Sequence, residues 1–540
     1  MMRYFNSQLI IKYVLYCIII CTSLNAYTHA SMYPLNEKVI ARFDMNQKNT
    51  QTIIQTHFHD IASIKNGYYV DIIMSYGQFL AYQHQGFWPI IVITESKLKQ
   101  NLQSRRDALN GYRTYENVVD EMTTLQDNFK SICKVYSLGY SWGHYYDADN
   151  LSNYESYNHQ IWAVKISDQV QIEEDEPSFY FMGLHHAKET ISLEVVMAEL
   201  NYILDQYGKD DNVTQLVHNN QLWFIPLVNP DGHRVVMDQR NVFWRKNIRD
   251  NNNNTVIDNY DGVDLNRNYN FKWGSLGSSS IITSDIYRGP TKGSEPEIEA
   301  IQTFLSSHHF VAGVSYHSYG ELVVFPYGYD YQATAPDHDA LNDLAIHVAQ
   351  KIPSINGGYY EPMQSIDMYP VGGDHCDYAY GIHGIFSLTI ELANQFIPPV
   401  DQINPICNGN IQGAMVLLNR VNYATLTGHI KDSHTGKPLE AEIFIPLVDS
   451  KGSDRNPYKS DETFGRYYRL LMPGQYSVVI SAPLYDTQTI ENIIITSNSQ
   501  TQLSVSMVRS TIQGDVNQDS VIDLKDLMIL MKYMSEIKKL

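Results

Sequence analysis

Residues 178–206, SFYFMGLHHAKETISLEVVMAELNYILDQ, constrain the fold of this chain more than any other stretch. SFYFMGL is apolar at successive positions, which suits a strand covered on both faces of a sheet. LEVVMAELNYILDQYG follows within a few residues and spaces its apolar side chains as a helix does. The same alternation continues along the chain: YENVVDEMTTLQDNFK is helical, and QIWAVKIS, LWFIPLV and GVSYHS are further apolar strands. Strands alternating with helices predict an α/β fold over residues 109–422. The expected core is a mixed, largely parallel central sheet with helices on both faces.

The flanks differ in pattern. Residues 31–108 pair strand-like KVIARFD, GYYVDIIMS and WPIIVITES with helical YGQFLAYQHQG and SKLKQNLQSRRDAL, predicting a small α+β unit that ends near Arg105 and Arg106. Residues 423–509 carry short strands and turn signals, the pattern of a small β-sandwich. Residues 510–540 hold an acidic loop followed by an amphipathic helix. At the start, Arg3 and Lys12 precede YVLYCIIICTSLNA and small residues, so residues 1–30 are expected to be a secretory signal cut after Ala26 or Ala30. No later segment is apolar for long enough to predict a membrane span. The expectation is a secreted protein.

The formal charge of −20 excludes nucleic acid as the expected partner, because phosphate binding needs a basic face. Cys17 and Cys21 leave with the signal. Cys133, Cys376 and Cys407 remain, so at most one disulfide can form.

The chemistry sits at the turn between the strand and the helix. His186 and Glu189 form H-x-x-E, an i, i+3 pair able to aim an imidazole and a carboxylate at one point, both good zinc ligands. His185 is expected to point elsewhere. His317, at the end of GVSYHS, is the candidate third ligand. Three protein ligands leave a position for water, the arrangement of a catalytic zinc.

HHAKE, NPDGH, WRKN, GVDLNRN, YHSYG, YPVGGDHCDYAYG and LTIEL stand in an order that resembles the zinc carboxypeptidases of the pancreatic carboxypeptidase A/B type. The resemblance covers roughly residues 112–422, and the interval from Tyr369 to Glu391 is the one the family shows. It implies that His186, Glu189 and His317 bind zinc and that Asp264 orients a ligand histidine. It implies Glu391 as the base that takes a proton from a zinc-bound water, and Arg245 as the oxyanion donor. Asn266 and Arg267 would grip the terminal carboxylate of a peptide or protein substrate, and Tyr369 would close over the bound residue. Lys188 stands where the family often has Arg. Asp374 and Cys376 fall near the floor of the specificity pocket, the first suited to a basic terminal residue and the second to an apolar one.

The flanks carry resemblances too. The first unit resembles the family's pro-region or accessory domain, and the sandwich resembles the transthyretin-like domain that follows some of these enzymes. The tail DVNQDSVIDLKD resembles a dockerin repeat, a calcium-dependent scaffold anchor. It sets Asp515, Asn517, Asp519, the Val521 backbone, Asp523 and Asp526 at calcium-loop spacing, with Ser520 where glycine is usual. DNNNNTVIDNYD repeats that spacing just upstream of the clamp, with Asp250, Asn252, Asn254, the Thr255–Val256 backbone, Asp258 and Asp261. It can be a second calcium loop or an Asn-rich turn. Two other functions compete with the carboxypeptidase. A cell-wall amidase of the same fold would favour replacement of Asn266 and Arg267, and a non-catalytic binding protein would need loss of a ligand or of Glu391. All of these residues are present.

Overall fold

The computed structural model describes residues 33–47, 50–56, 61–65, 68–104, 111–148, 152–452, 454–510, 516–517 and 521–537. The expected signal, Arg105, Arg106, Asp515, Asp519 and Ser520 lie outside these residues. The chain divides into two units, Met1–Asp107 and Ala108–Leu540.

In the first unit, β1 (Lys38–Asp44), β2 (Ile61–Lys65), β3 (Tyr69–Ser75) and β4 (Ile90–Thr94) form an antiparallel sheet in the order β2-β3-β1-β4. Val39, Ala41, Phe43, Val70 and Ile72 are buried in it. Helices Thr50–Thr56, Tyr76–His84 and Glu95–Ser104 complete the unit. Ser75 caps the second of these through a capping box with Gln78. The sequence pattern had not separated β2 or Thr50–Thr56, because five and seven residues are too few for a clear period.

The second unit is built on eight strands: β5 (Cys133–Tyr140), β6 (Gln160–Ile166), β7 (Ser178–Gly183), β8 (Gln221–Ile225), β9 (Phe310–Ser318), β10 (Leu322–Phe325), β11 (Glu361–Gln364) and β12 (Phe386–Leu392). Their order is β11-β10-β12-β9-β7-β8-β6-β5. The centre, β12-β9-β7-β8, is parallel, whereas β6 joins β8 and β5 antiparallel and β10 joins β12 antiparallel. Every residue of β7, β8, β9 and β12 is buried; β7 and β8 are apolar at nearly every position, whereas β12 (FSLTIEL) alternates apolar with polar residues although both its faces are covered. Helices Thr190–Gln206 and Val400–Asn419 pack on each other, the first also on β7 and β9, while His375–His383 packs on β12. Gly183 pairs with Tyr316 and His317 with Glu391, so the carboxyl ends of β7, β9 and β12 lie together. In open α/β sheets ligands bind beyond such ends.

Seven further strands follow: β13 (Thr425–Asp432), β14 (Glu442–Phe444), β15 (Arg466–Leu470), β16 (Gly474–Ser481), β17 (Gln488–Ile495), β18 (Gln500–Gln502) and β19 (Val505–Met507). They form two sheets, β15-β13-β18 with β19 also on β13, and β14-β16-β17. Leu426, Ile430, Ile443, Val478 and Ile480 fill the space between them. Residue 423 marks a change of architecture inside one compact unit, because buried charges join the two parts. Arg469 pairs with Asp337 at 3.2 Å and with Asp449 at 2.8 Å, and Arg455 reaches Asp337 at 3.3 Å. Tyr380 donates its hydroxyl hydrogen to Asp337 at 2.8 Å. Gly384, at φ +71°, lies under the Tyr458 ring, where a Cβ would come within 2.7 Å. The tail helix Leu524–Ile537 exposes Leu524, Leu527, Met528, Met531 and Met534.

Cys133, Cys376 and Cys407 are all buried and free, so the one bridge the sequence allowed is not formed. Among the described residues no helix is long and apolar enough to cross a membrane.

Candidate metal centre and active site

β7 ends at Gly183, and Leu184 follows in the left-handed region at φ 60°. Such backbone costs a branched residue about 1–2 kcal/mol. It is held by Leu184 N–H donating to Ser192 Oγ at 2.9 Å and by Asn229 N–H donating to Leu184 O at 3.0 Å. The bend lets neighbouring histidines diverge. His185 points away from the pair, as expected, and bonds to Ser315 and Tyr269, while His186 turns to Glu189.

His186 Nδ1 lies 2.9 Å from Glu189 Oε1 and 3.1 Å from His317 Nδ1, and His317 Nδ1 lies 3.0 Å from Glu189 Oε2. The three donors lie within 4.8 Å of one another, the one such His/Cys/Asp/Glu group among the described residues. Two imidazole nitrogens and one carboxylate facing a common point fit zinc, for which this donor set is used in catalytic sites. Burial opposes ionisation of Glu189, yet the imidazoles of His186 and His317 hold its carboxyl below the usual range. Burial pushes His317 down to about 4, leaving its imidazole neutral.

Asp264 anchors the surroundings. Its Oδ1 accepts from His186 Nε2 at 3.2 Å, which assigns the ring proton to Nε2 and leaves Nδ1 for a metal. Its Oδ2 accepts from Arg245 Nε at 2.9 Å and Nη2 at 2.8 Å, and Arg267 Nη1 approaches to 4.0 Å. Burial disfavours its charge, but Arg245, Arg267 and His186 together hold its carboxyl well below the usual range. Asp264 also caps the turn Leu265–Arg267 by accepting from Asn266 N–H at 2.9 Å, so one side chain positions both clamp residues. Arg267 donates to Gly277 O and Asn266 O, and Asn266 Oδ1 accepts from His375 N–H at 2.8 Å.

Glu391 on β12 is buried, and burial with the nearby Glu189 carboxylate raises its carboxyl well above the usual range. Tyr369 is half-buried, and the charges of Glu391, Arg267 and Arg245 all reach its phenol. Lys188 is buried with its ammonium 4.2 Å above the Phe396 ring. Asp374 takes the N-cap of helix His375–His383, its Oδ2 accepting from Cys376 N–H at 3.2 Å, while its Oδ1 has no partner. Burial pushes its carboxyl up to about 7. Cys376 is buried with Sγ donating to Ser387 O at 3.3 Å.

Sequence reasoning missed Ser315, which bonds to His317 and His185, and Tyr269, which bonds to His185. Ser315 was findable, since residues two apart on a strand share a face and His317 was in view. Tyr269 had no such signal.

Upstream, Asp261 accepts from Asn251 N–H at 3.0 Å and Asp258 N–H at 2.9 Å. Asp526 in the tail accepts from Val516 N–H at 2.8 Å and Asp523 N–H at 2.9 Å, the equivalent positions.

A mixed α/β sheet with a buried His-Glu-His group beyond its strand ends defines a candidate metal centre on an open α/β scaffold. The profile of the zinc carboxypeptidase family, Peptidase_M14, matches residues 118–413, and the chain belongs to this family. It is 36% identical over 256 residues to metallocarboxypeptidase A of Trichophyton tonsurans, a match covering 46% of this chain and 60% of that protein. It is 32% identical over 255 residues to carboxypeptidase A2 of Rattus norvegicus, covering 46% of this chain and 59% of that one. The chain thus spans about 60% of the length of these curated relatives. In fold it is similar to the carboxypeptidase A of Helicoverpa armigera (TM-score 0.61, 19% identity, 71% of this chain and 97% of that one). It is also similar in fold to thrombin-activatable fibrinolysis inhibitor (TM-score 0.57, 22% identity, 71% and 98%).

Proposed function

We propose that this protein is a metallocarboxypeptidase that hydrolyses the C-terminal peptide bond of peptides or proteins. Asp264 carries the reading, because one carboxylate holds the ligand His186, the guanidinium of Arg245 and the turn bearing Asn266 and Arg267. His186, Glu189 and His317 would hold zinc, which would supply Lewis acidity to polarise the scissile carbonyl and acidify water. Arg267 and Asn266 bind the terminal carboxylate and so select chain ends. Arg245 donates N–H to the carbonyl oxygen as charge develops there. Glu391 takes the proton of the attacking water at its carboxylate and delivers it to the leaving nitrogen. Tyr369 closes over the bound residue. The small, neutral Cys376 and the use of Asp374 as a helix cap support an apolar terminal side chain.

The test offers peptides ending in Phe, Leu, Lys or a D-residue to the full chain, before and after cleavage at Arg105–Arg106, with and without chelator. Single C-terminal residues are released, and chelator stops the release. Internal cleavage, or activity that survives Glu391→Gln, overturns the reading.

Other assignments rest on sequence pattern. Residues 1–30 support export, residues 31–108 a pro-region or accessory role, residues 423–509 a transthyretin-like domain, and residues 510–540 a dockerin-like scaffold contact. Calcium in both acidic loops is supported by their shared bonding to the twelfth residue, Asp261 and Asp526. Thr255, at the sixth position of the first loop, has φ 61°, where calcium loops make their sharp turn. Calcium there would stiffen the approach to Asp264, Asn266 and Arg267.

A further inference from the structure

His186 has a carboxylate behind it; His317 has a different partner. His317 Nε2 lies 3.1 Å from Ser315 Oγ, Ser315 Oγ lies 3.1 Å from His185 Nδ1, and His185 Nε2 lies 2.7 Å from Tyr269 Oη. All four side chains are buried, and the rings of His185 and His317 stack at 5.4 Å and 17°. We infer that Ser315, His185 and Tyr269 form a hydrogen-bonded relay that sets the tautomer of His317 and ties this ligand to the clamp loop.

The direction of the relay follows from counting hydrogens. His317 turns Nδ1 to His186 and Glu189, so binding a metal there requires Nδ1 bare and the proton on Nε2. That proton is donated to Ser315 Oγ. The hydroxyl meets two partners, both ring nitrogens, so its own hydrogen goes to His185 Nδ1. His185 therefore keeps its proton on Nε2 and donates it to Tyr269 Oη. Tyr269 stands two residues beyond Arg267 and donates its backbone N–H to Gly373 O at 2.9 Å, ahead of the helix carrying Cys376. The three are positioning residues: they act on His317, not on substrate.

The inference rests on metal binding at the triad and needs no peptide, so its failure is separable from failure of the carboxypeptidase reading. Zinc affinity of the full chain is measured by competition with a chromophoric chelator, and folding by circular dichroism. Ser315→Ala and His185→Leu each weaken zinc binding about 10–100-fold, the range for partners behind metal-bound histidines. The unaltered protein gives an independent reading: nitrogen-15 NMR of the zinc-loaded chain finds the His185 proton on Nε2. Unchanged zinc affinity in both folded variants, or a His185 proton on Nδ1, overturns the relay.

Discussion

Glu391 and His317 are register partners on the neighbouring parallel strands β12 and β9. The proposed base and a metal ligand thus share one rigid sheet edge, and neither can move far without breaking the ladder. Glu391 lies outside the three-donor group, so its removal separates chemistry from metal binding. Glu391→Gln is expected to lower turnover about 10²–10⁴-fold, the usual share of a general base, with zinc content unchanged. Steady-state kinetics alongside metal analysis check this.

Asp264→Asn keeps the shape of the anchor and removes its charge. Zinc affinity falls about 10–100-fold as His186 loses its carboxylate. Arg245 and Arg267 also lose a buried counter-charge, a loss that typically costs about 3–5 kcal/mol. Chelator competition and urea melts give the two effects separately, and a variant as stable as the parent contradicts the second.

Arg267→Leu removes the proposed carboxylate clamp. Hydrogen bonds to charged groups contribute about 1.5–3 kcal/mol, so discrimination between a peptide acid and its C-terminal amide should shrink by that amount. The ratio of kcat/KM for the two substrates measures it. If the parent enzyme accepts both equally, the clamp is misassigned.

Asp337→Ala removes the buried carboxylate that Arg455 and Arg469 reach in the α/β part and leaves them only Asp449 of the sandwich. Breaking a buried pair costs about 3–5 kcal/mol, and the loss falls on both parts at once. Calorimetry of the Ala108–Leu540 unit should show its two parts melting in one transition, shifted down in the variant. A separate sandwich transition counts against the weld.

Calcium, added to a chain ending at Arg509, should slow proteolysis within residues 250–261. The effect should be lost in Asp261→Asn, because Asp261 closes the loop at two backbone amides. Equal cleavage rates with and without calcium leave the segment an Asn-rich turn.

Much of this was legible in the chain. The apolar runs of β7 and β8 were readable because strands covered on both faces favour apolar residues at successive positions. His186 and Glu189 are three residues apart, and that spacing already aims them together. Short elements such as β2 were hidden, since five residues carry too little period.

Sequence by itself determined the α/β class, the H-x-x-E pair and, through ordered motifs, the family. Sequence also named His317 as the third donor; tertiary structure decided how close it comes, from 128 residues beyond Glu189 to within 3.0 Å of it. Tertiary structure alone brought Tyr269 to His185 and drew Arg469 of the sandwich to Asp337. The reason is physical. A sequence pattern records which side of an element is buried, through the local periods of strand and helix. Which buried polar groups meet depends on strand order and register, and the need to pair each of them is satisfied only once the chain has folded.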